Sequence, residues 1–394
     1  MAKAAKAVRK EPWFAYFPDD YRWSAGVGIA YSTSYWGSST MGEVDRVCRK
    51  LKGKIGDDDA WFDEWVSEAD RMRALGMAAA RKKNNLSAAA FFKRACFYYQ
   101  LGERFRTPKD KAANAAYRKS LDSFKRFAAL TDAPRIEHVE IPFEGKKTLP
   151  GILIHAQNTR KRKPPVVVSF DGFDVSKEIQ YILGAEDLVR RGMSVLAVDA
   201  PGNGEAIRFR KLYLRHDHET AGAAALDYLE SRNDVDAKRA GVMAISLGGY
   251  YAPRNASMEH RFKACVAWGA IWDYQRVWQD RIAAAYKTAL SVPGHHLTWI
   301  FNSDSTEECL DLLADFKLDG VVQNMRCPFL LIHGEGDQQI PLADAKNLFN
   351  ASGSKDKTFR VVKGTETGAQ HCQMDNVPPY AHEIFDWLKL KLGA

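Results

Sequence analysis

The chain has no cysteine pair at C-x-x-C spacing, no apolar run long enough to span a bilayer, and no apolar stretch behind its basic N-terminus. Each absence excludes something. Cys48, Cys96, Cys265, Cys309, Cys327 and Cys372 are too dispersed to indicate a zinc site or a disulfide framework. Reduced thiols and a cytoplasmic location are expected. The opening MAKAAKAVRKEPWF lacks the apolar region of a secretory signal, and no segment reads as a membrane span. Internal repeats and low-complexity tracts are missing too. The excess of positive charge is small, 57 Lys+Arg against 49 Asp+Glu for a net +8. Its short clusters at 3–10, 81–83 and 160–163 are not interleaved with aromatics, so no nucleic-acid partner is expected.

What is present is a globular composition, 46% hydrophobic and 27% charged, long enough for one large domain or two ordinary ones. Two textures divide it. Up to about residue 131 the pattern is helical, with Trp61, Trp65, Ala69, Met72, Leu75 and Met77 at helical spacing and further helices over 87–101 and 110–130. An aromatic stretch over 12–36 precedes them. From about residue 133, short β-branched runs alternate with helices. A hairpin over 135–143 and 148–155 leads into strands at 166–170, 194–198, 241–245, 264–268, 329–333 and 358–362. Helices are expected over 177–191, 219–231, 248–258, 342–350 and 380–392. Strand and helix in alternation predict an α/β fold with a mostly parallel sheet covered by helices on both faces. The segment 271–320 exceeds a normal crossover and is expected to supply a cap insert.

The chemistry centres on Ala244-Ile245-Ser246-Leu247-Gly248-Gly249, directly after a strand. This is a nucleophile-elbow pattern with Ala in place of its first Gly. Small flanking residues let a sharp strand-to-helix turn lift a serine hydroxyl above the sheet. Asp337 follows the strand 329–333 within His333-Gly334-Glu335-Gly336-Asp337, and His371 follows the last strand. The order Ser, Asp, His is that of α/β-hydrolases. A serine hydroxyl needs an adjacent base near neutral pH. His371 is the expected base, Asp337 the acid that orients it, and Ser246 the nucleophile. The backbone N–H of Leu247 is one expected oxyanion donor. The other comes from the loop Asp171-Gly172-Phe173-Asp174, as the N–H of Phe173 or, second to it, of Gly172.

Asp171 to Glu178, Asp199-Ala200-Pro201-Gly202-Asn203-Gly204-Glu205, the segment Ser246 to Arg254, His371-Cys372 and the helical region with Trp61, Trp65 and Phe97-Tyr98-Tyr99 together resemble the 2,6-dihydroxypseudooxynicotine hydrolase family. That family includes the fungal heptaketide (YWA1-type) hydrolases. The resemblance implies an α/β-hydrolase core over 133–394 and an N-terminal helical lid over 1–132. It implies cofactor-free cleavage of a carbon–carbon bond beside a ketone, or of an ester, with a hydrophobic aromatic substrate and a homodimer. The family's extra acidic residue after the sixth core strand has no secure counterpart here. Asp273 and Asp280 are the candidates, with a helix cap or salt bridge as the other reading.

Trp268, Trp272, Tyr274 and Tyr250 are the expected pocket residues because they follow a strand that ends near Ser246 or open the elbow helix. His216-Asp217-His218-Glu219 reads as helix capping rather than a metal site, so no metal is expected. His295-His296 reads as a solvated loop and His333 as a packed histidine. Three functions fit: a carbon–carbon bond hydrolase for an aromatic or polyketide-like ketone, a carboxylesterase or lactonase, and a non-catalytic binding protein on a hydrolase scaffold.

Overall fold

The computed structural model describes residues 13–394. The basic cluster at 3–10 and the first residues of the expected lid and aromatic stretch lie outside the described residues.

Five helices come first: α1 (Tyr21–Thr33), α2 (Met41–Leu51), α3 (Asp58–Arg81), α4 (Asn85–Glu103) and α5 (Lys111–Leu130). Four of them start on a side-chain cap, with Asp20, Thr40, Asp57 and Asp110 each accepting from a backbone N–H in the first turn. α4 packs between α3 and α5. It is buried on nearly every side from Ala88 to Glu103, which is why it reads as apolar all round rather than as a stripe. Trp23, Trp61, Trp65, Tyr98 and Phe105 pack ring against ring at tilted angles in the interior of this region.

The sheet follows. β1 (Ile136–Phe143) and β2 (Lys147–Ile154) form the expected hairpin. β3 (Pro165–Phe170), β4 (Ser194–Val198), β5 (Asp236–Ile245), β6 (Ala264–Trp268), β7 (Phe329–Gly334) and β8 (Lys357–Val362) complete eight strands in the order β1-β2-β4-β3-β5-β6-β7-β8. β2 runs antiparallel to β4, and the six strands from β4 to β8 are parallel. β3 and β4 are buried at every residue, as strands covered on both faces must be. This is the α/β-hydrolase fold with a helical region before it.

Between strands lie α6 (Lys177–Gln180), α7 (Glu186–Arg190), α8 (Gly204–Arg210), α9 (Glu219–Glu230), α10 (Gly248–Met258), α11 (Tyr274–Ala283), α12 (His296–Phe301), α13 (Thr306–Leu312) and α14 (Leu342–Ala351), with α15 (Val377–Leu392) closing the chain. The single helix expected over 177–191 is broken at Gly184, whose φ of +102° no side chain adopts comfortably. Trp36 fills the space beside that glycine, and its indole N–H donates to Asp187 at 2.8 Å. The break thus seats the N-terminal region on the core. The insert 271–320 folds into α11, α12 and α13. No helix among the described residues is long and apolar enough to cross a membrane.

Candidate active site

β5 ends at Ile245 and α10 begins at Gly248, so Ser246 sits in the intervening turn. Its φ is +63°, a left-handed conformation costing a non-glycine residue about 1–2 kcal/mol. The turn is held by the N–H of Ser246 donating to Trp268 O at 2.9 Å. A Cβ at Gly249 would lie 2.6 Å from Gly269 O, so only glycine lets α10 start this close to the end of β6.

Ser246 Oγ lies 2.8 Å from His371 Nε2, and His371 Nδ1 lies 2.7 Å from Asp337 Oδ2. The three side chains, 125 and 34 residues apart along the chain, thus form one continuous relay. Asp337 is held by the N–H groups of Gln339 and Ile340, which donate to its Oδ1 at 2.8 and 3.0 Å. Burial works against the charged imidazole, but the Asp337 carboxylate outweighs it and holds the His371 pKa well above the ordinary 6.5. Burial likewise raises the Asp337 carboxyl, and the His371 charge more than reverses this, leaving it below the usual range. His333 packs behind Asp337, its Nε2 3.2 Å from Ile340 O, and burial lowers its pKa.

Gly172 faces the serine so closely that a Cβ there would lie 2.8 Å from Ser246 Cβ. Among the described residues no acceptor takes the N–H of Leu247, Gly172 or Phe173. Asn203 donates to Gly172 O at 2.5 Å. The next helix is tied down by Lys177, whose N–H and ammonium both donate to Asp199, at 2.8 and 2.9 Å. Its ammonium also reaches Glu205 at 2.7 Å.

Ser246 and His371 line a narrow slot of about 80 Å³. Ala25, Ile29, Phe97, Leu101, Ile179 and Leu183 give it apolar walls, and Gln100, Arg104, Tyr117, Asp174, Ser176 and Arg208 supply polar groups. Much of this wall therefore comes from α1, α4 and α5.

The residues expected to line the pocket do not line this cavity. Trp268 is buried in the core, its indole N–H donating to Gln373 at 2.7 Å. Tyr250 is buried under the insert, its hydroxyl donating to His216 O at 2.8 Å. Tyr274 packs behind Phe173 and Trp278, and Trp272 packs at the edge of the core. Asp273 caps α11 by accepting from the N–H of Arg276, and Asp280 is exposed, 3.9 Å from Arg276. Neither acid reaches the cavity. Of the insert 271–320, only Ser291 lines it.

His216-Asp217-His218-Glu219 does no side-chain capping, since α9 lacks a side-chain cap. Asp217 pairs with Arg215 and Glu219 with Arg254, while His218 stacks on Tyr251 at 3.8 Å and burial pushes its pKa down to about 3. His296 is buried against Phe173 rather than solvated. The one group of side chains among the described residues with metal-ligand spacing is Glu137, His155 and Asp234, where Arg135 and Arg232 already pair the acids.

Comparison with known proteins places this architecture. A family described as esterase FrsA-like matches residues 53–388. The chain is 28% identical over 86% of its length to "20-hydroxy-prefusarin hydrolase FUS2" of Gibberella moniliformis, covering 90% of that protein. It is 26% identical over 95% of its length to "Hydrolase acrC" of Aspergillus aculeatus, covering 97% of it. It is also 29% identical over 91% of its length to "Hydrolase LUC6" of a Fusarium species, covering 93% of it. Among solved structures it resembles 2,6-dihydroxy-pseudo-oxynicotine hydrolase, with a TM-score of 0.77, 22% identity, and coverage of 92% of this chain and 95% of that one. The chain belongs to the FrsA-like esterase family and is an enzyme of the α/β-hydrolase class.

Proposed function

We propose that the enzyme is a serine hydrolase that cleaves a carbon–carbon bond beside a ketone in an aromatic or polyketide-like substrate. The observation that carries this reading is the Ser246–His371–Asp337 relay at the wall of a narrow, largely apolar slot. Ser246 Oγ attacks the ketone carbonyl while His371 Nε2 takes its proton. The N–H groups of Leu247 and Phe173, free of internal acceptors, receive the developing oxyanion. As the tetrahedral adduct collapses, the carbon–carbon bond breaks. Its electron pair leaves as a resonance-stabilised carbanion, which takes the proton from His371. Water, activated by the same imidazole, then resolves the acyl-enzyme and releases an acid. Asp337 keeps the imidazole oriented and stabilises its charged form.

The substrate class is supported by one relative, a 20-hydroxy-prefusarin hydrolase, and by the slot's largely apolar lining. The same machinery cleaves esters and lactones, and the family description favours that as the second reading. A panel of aryl esters and aromatic β-diketones, with products identified by mass spectrometry, separates the two. An acid plus a ketone or arene from a diketone supports carbon–carbon cleavage. Turnover of esters alone assigns the enzyme as an esterase. Turnover of neither by a folded protein contradicts both readings.

A further inference from the structure

The loop that follows β3, residues 172–176, is held almost entirely by side chains. Among the described residues none of its backbone N–H groups finds an acceptor in the protein, and backbone pairing reaches it only at its far end, where Ser176 O accepts from the N–H groups of Ile179 and Gln180 at 2.9 and 3.3 Å. Two ties come from the core: Asn203 donating to Gly172 O, and Gln180 donating to Asp171 and to Phe170 O just before the loop. The other two come from α4 and from Arg104, the residue that caps its C-terminal end. Arg104 pairs with Asp174 at 2.6 Å, the two side chains only 11% and 6% exposed. Ser176 Oγ lies 2.8 Å from Gln100 Oε1 and 2.7 Å from Glu178 Oε2, its single proton serving one acceptor at a time. Gln100 is fixed in turn by donating to Ser120 of α5 at 3.1 Å. Arg104 also reaches Ser291 O of the insert at 3.4 Å.

We infer that Arg104 and Gln100 are positioning residues for the oxyanion loop, so that docking of the N-terminal helices completes the catalytic site as well as covering it. Phe173 lies between the core tie at Gly172 and the α4 tie at Asp174. Its N–H can meet a developing oxyanion only if both sides of that residue are fixed. A donor that wanders by a fraction of an ångström loses transition-state stabilisation without altering how a small substrate binds. Loss of an entire oxyanion donor costs about 10²–10³ in kcat, and loosening one costs less. The inference rests on the serine-hydrolase reading above.

The test uses p-nitrophenyl acetate, too small to need the slot walls. Removing one partner of a buried pair strands a charge, so the pair is neutralised together as Arg104→Met with Asp174→Asn. The expected result is a fall in kcat of about ten- to a hundredfold with KM within about threefold of the parent, and recovery of most of the kcat in Arg104→Lys. If the double variant does not fold, Ser176→Ala removes a single hydroxyl, and a kcat loss of about fivefold with unchanged KM is expected. A kcat equal to the parent's, or a loss confined to KM, overturns the inference. Ser246→Ala is the control. If it abolishes turnover while the loop variants keep theirs, only the inference falls; if it keeps turnover, the serine-hydrolase reading falls with it.

Discussion

The Cβ of Ala244 faces Gly248 so closely that a Cβ added at position 248 would lie 2.5 Å from it. The elbow therefore accommodates one methyl across this pair and not two, and Ala244 is compatible with the turn because Gly248 lacks a side chain. Gly248→Ala is expected to lower stability by about 1–3 kcal/mol through overpacking and to reduce kcat/KM by displacing Ser246. Ala244→Gly in the same chain is expected to restore most of both. Melting curves and ester kinetics on the two variants check this. An undiminished Gly248→Ala enzyme would contradict it.

The pH dependence follows from the His371–Asp337 pair. The base is the neutral imidazole, and Asp337 holds the imidazole pKa above the ordinary 6.5, so kcat/KM rises with pH through a value above that range. Asp337→Asn removes the anion. The acid limb is then expected to shift to lower pH, while kcat falls by about 10⁴-fold through loss of imidazole orientation. Stability has its own window. The raised His371 pKa contributes stability that is complete below the unfolded value of 6.5 and is lost as pH rises through the folded one. The lowered Asp337 pKa contributes stability present above the unfolded 3.8 and lost as pH falls through the folded one. The pair's contribution is therefore largest between these two unfolded values.

The fold was legible where local pattern and burial coincide. β4 and β6 have the boundaries their β-branched runs predict, and the sheet's alternation with helices follows from the same signal. α1 was not legible. Its residues YRWSAGVGIAYST carry two glycines and bury residues on several faces, so the stripe that announces a surface helix is missing. The Ser, Asp and His loops could be placed from chain order because each ends a strand on the same edge. The slot could not. Position at the end of a strand near Ser246, or at the start of the elbow helix, points to Trp268, Trp272, Tyr274 and Tyr250, but those side chains pack against the core instead. The wall comes instead from Ala25, Ile29, Phe97 and Leu101, more than a hundred residues away, and docking of helices is a tertiary property that periodicity does not encode.

That contrast gives a direct mutational comparison. Ile29→Trp fills the slot and is expected to raise KM for a bulky aromatic ester by tenfold or more, leaving p-nitrophenyl acetate within about threefold. Trp272→Ala should leave KM for both substrates unchanged. Asp273→Ala should cost about 1 kcal/mol as a lost helix cap without lowering kcat. Steady-state kinetics on the two esters distinguish these outcomes, and a kcat collapse in Asp273→Ala would reinstate that residue in the chemistry.

Stability of the helical region turns on Trp61. It is fully buried between Trp23, Trp65 and Phe105, and its indole N–H donates to Leu101 O at 2.8 Å. Trp61→Ala is expected to cost about 3–5 kcal/mol. It should also impair turnover, because Leu101 is part of the slot wall. Denaturant titration followed by tryptophan fluorescence checks the first expectation, and a loss below 1 kcal/mol would contradict it.

A fluorophosphonate probe bears on Ser246 itself. Incubated with the intact enzyme and read by mass spectrometry of its peptides, the probe should add one phosphonyl group, on Ser246 alone, with labelling abolished in Ser246→Ala and much slower in His371→Ala. Attachment at another residue, or equal labelling of the Ser246→Ala protein, would show that the hydroxyl beside His371 is not the nucleophile.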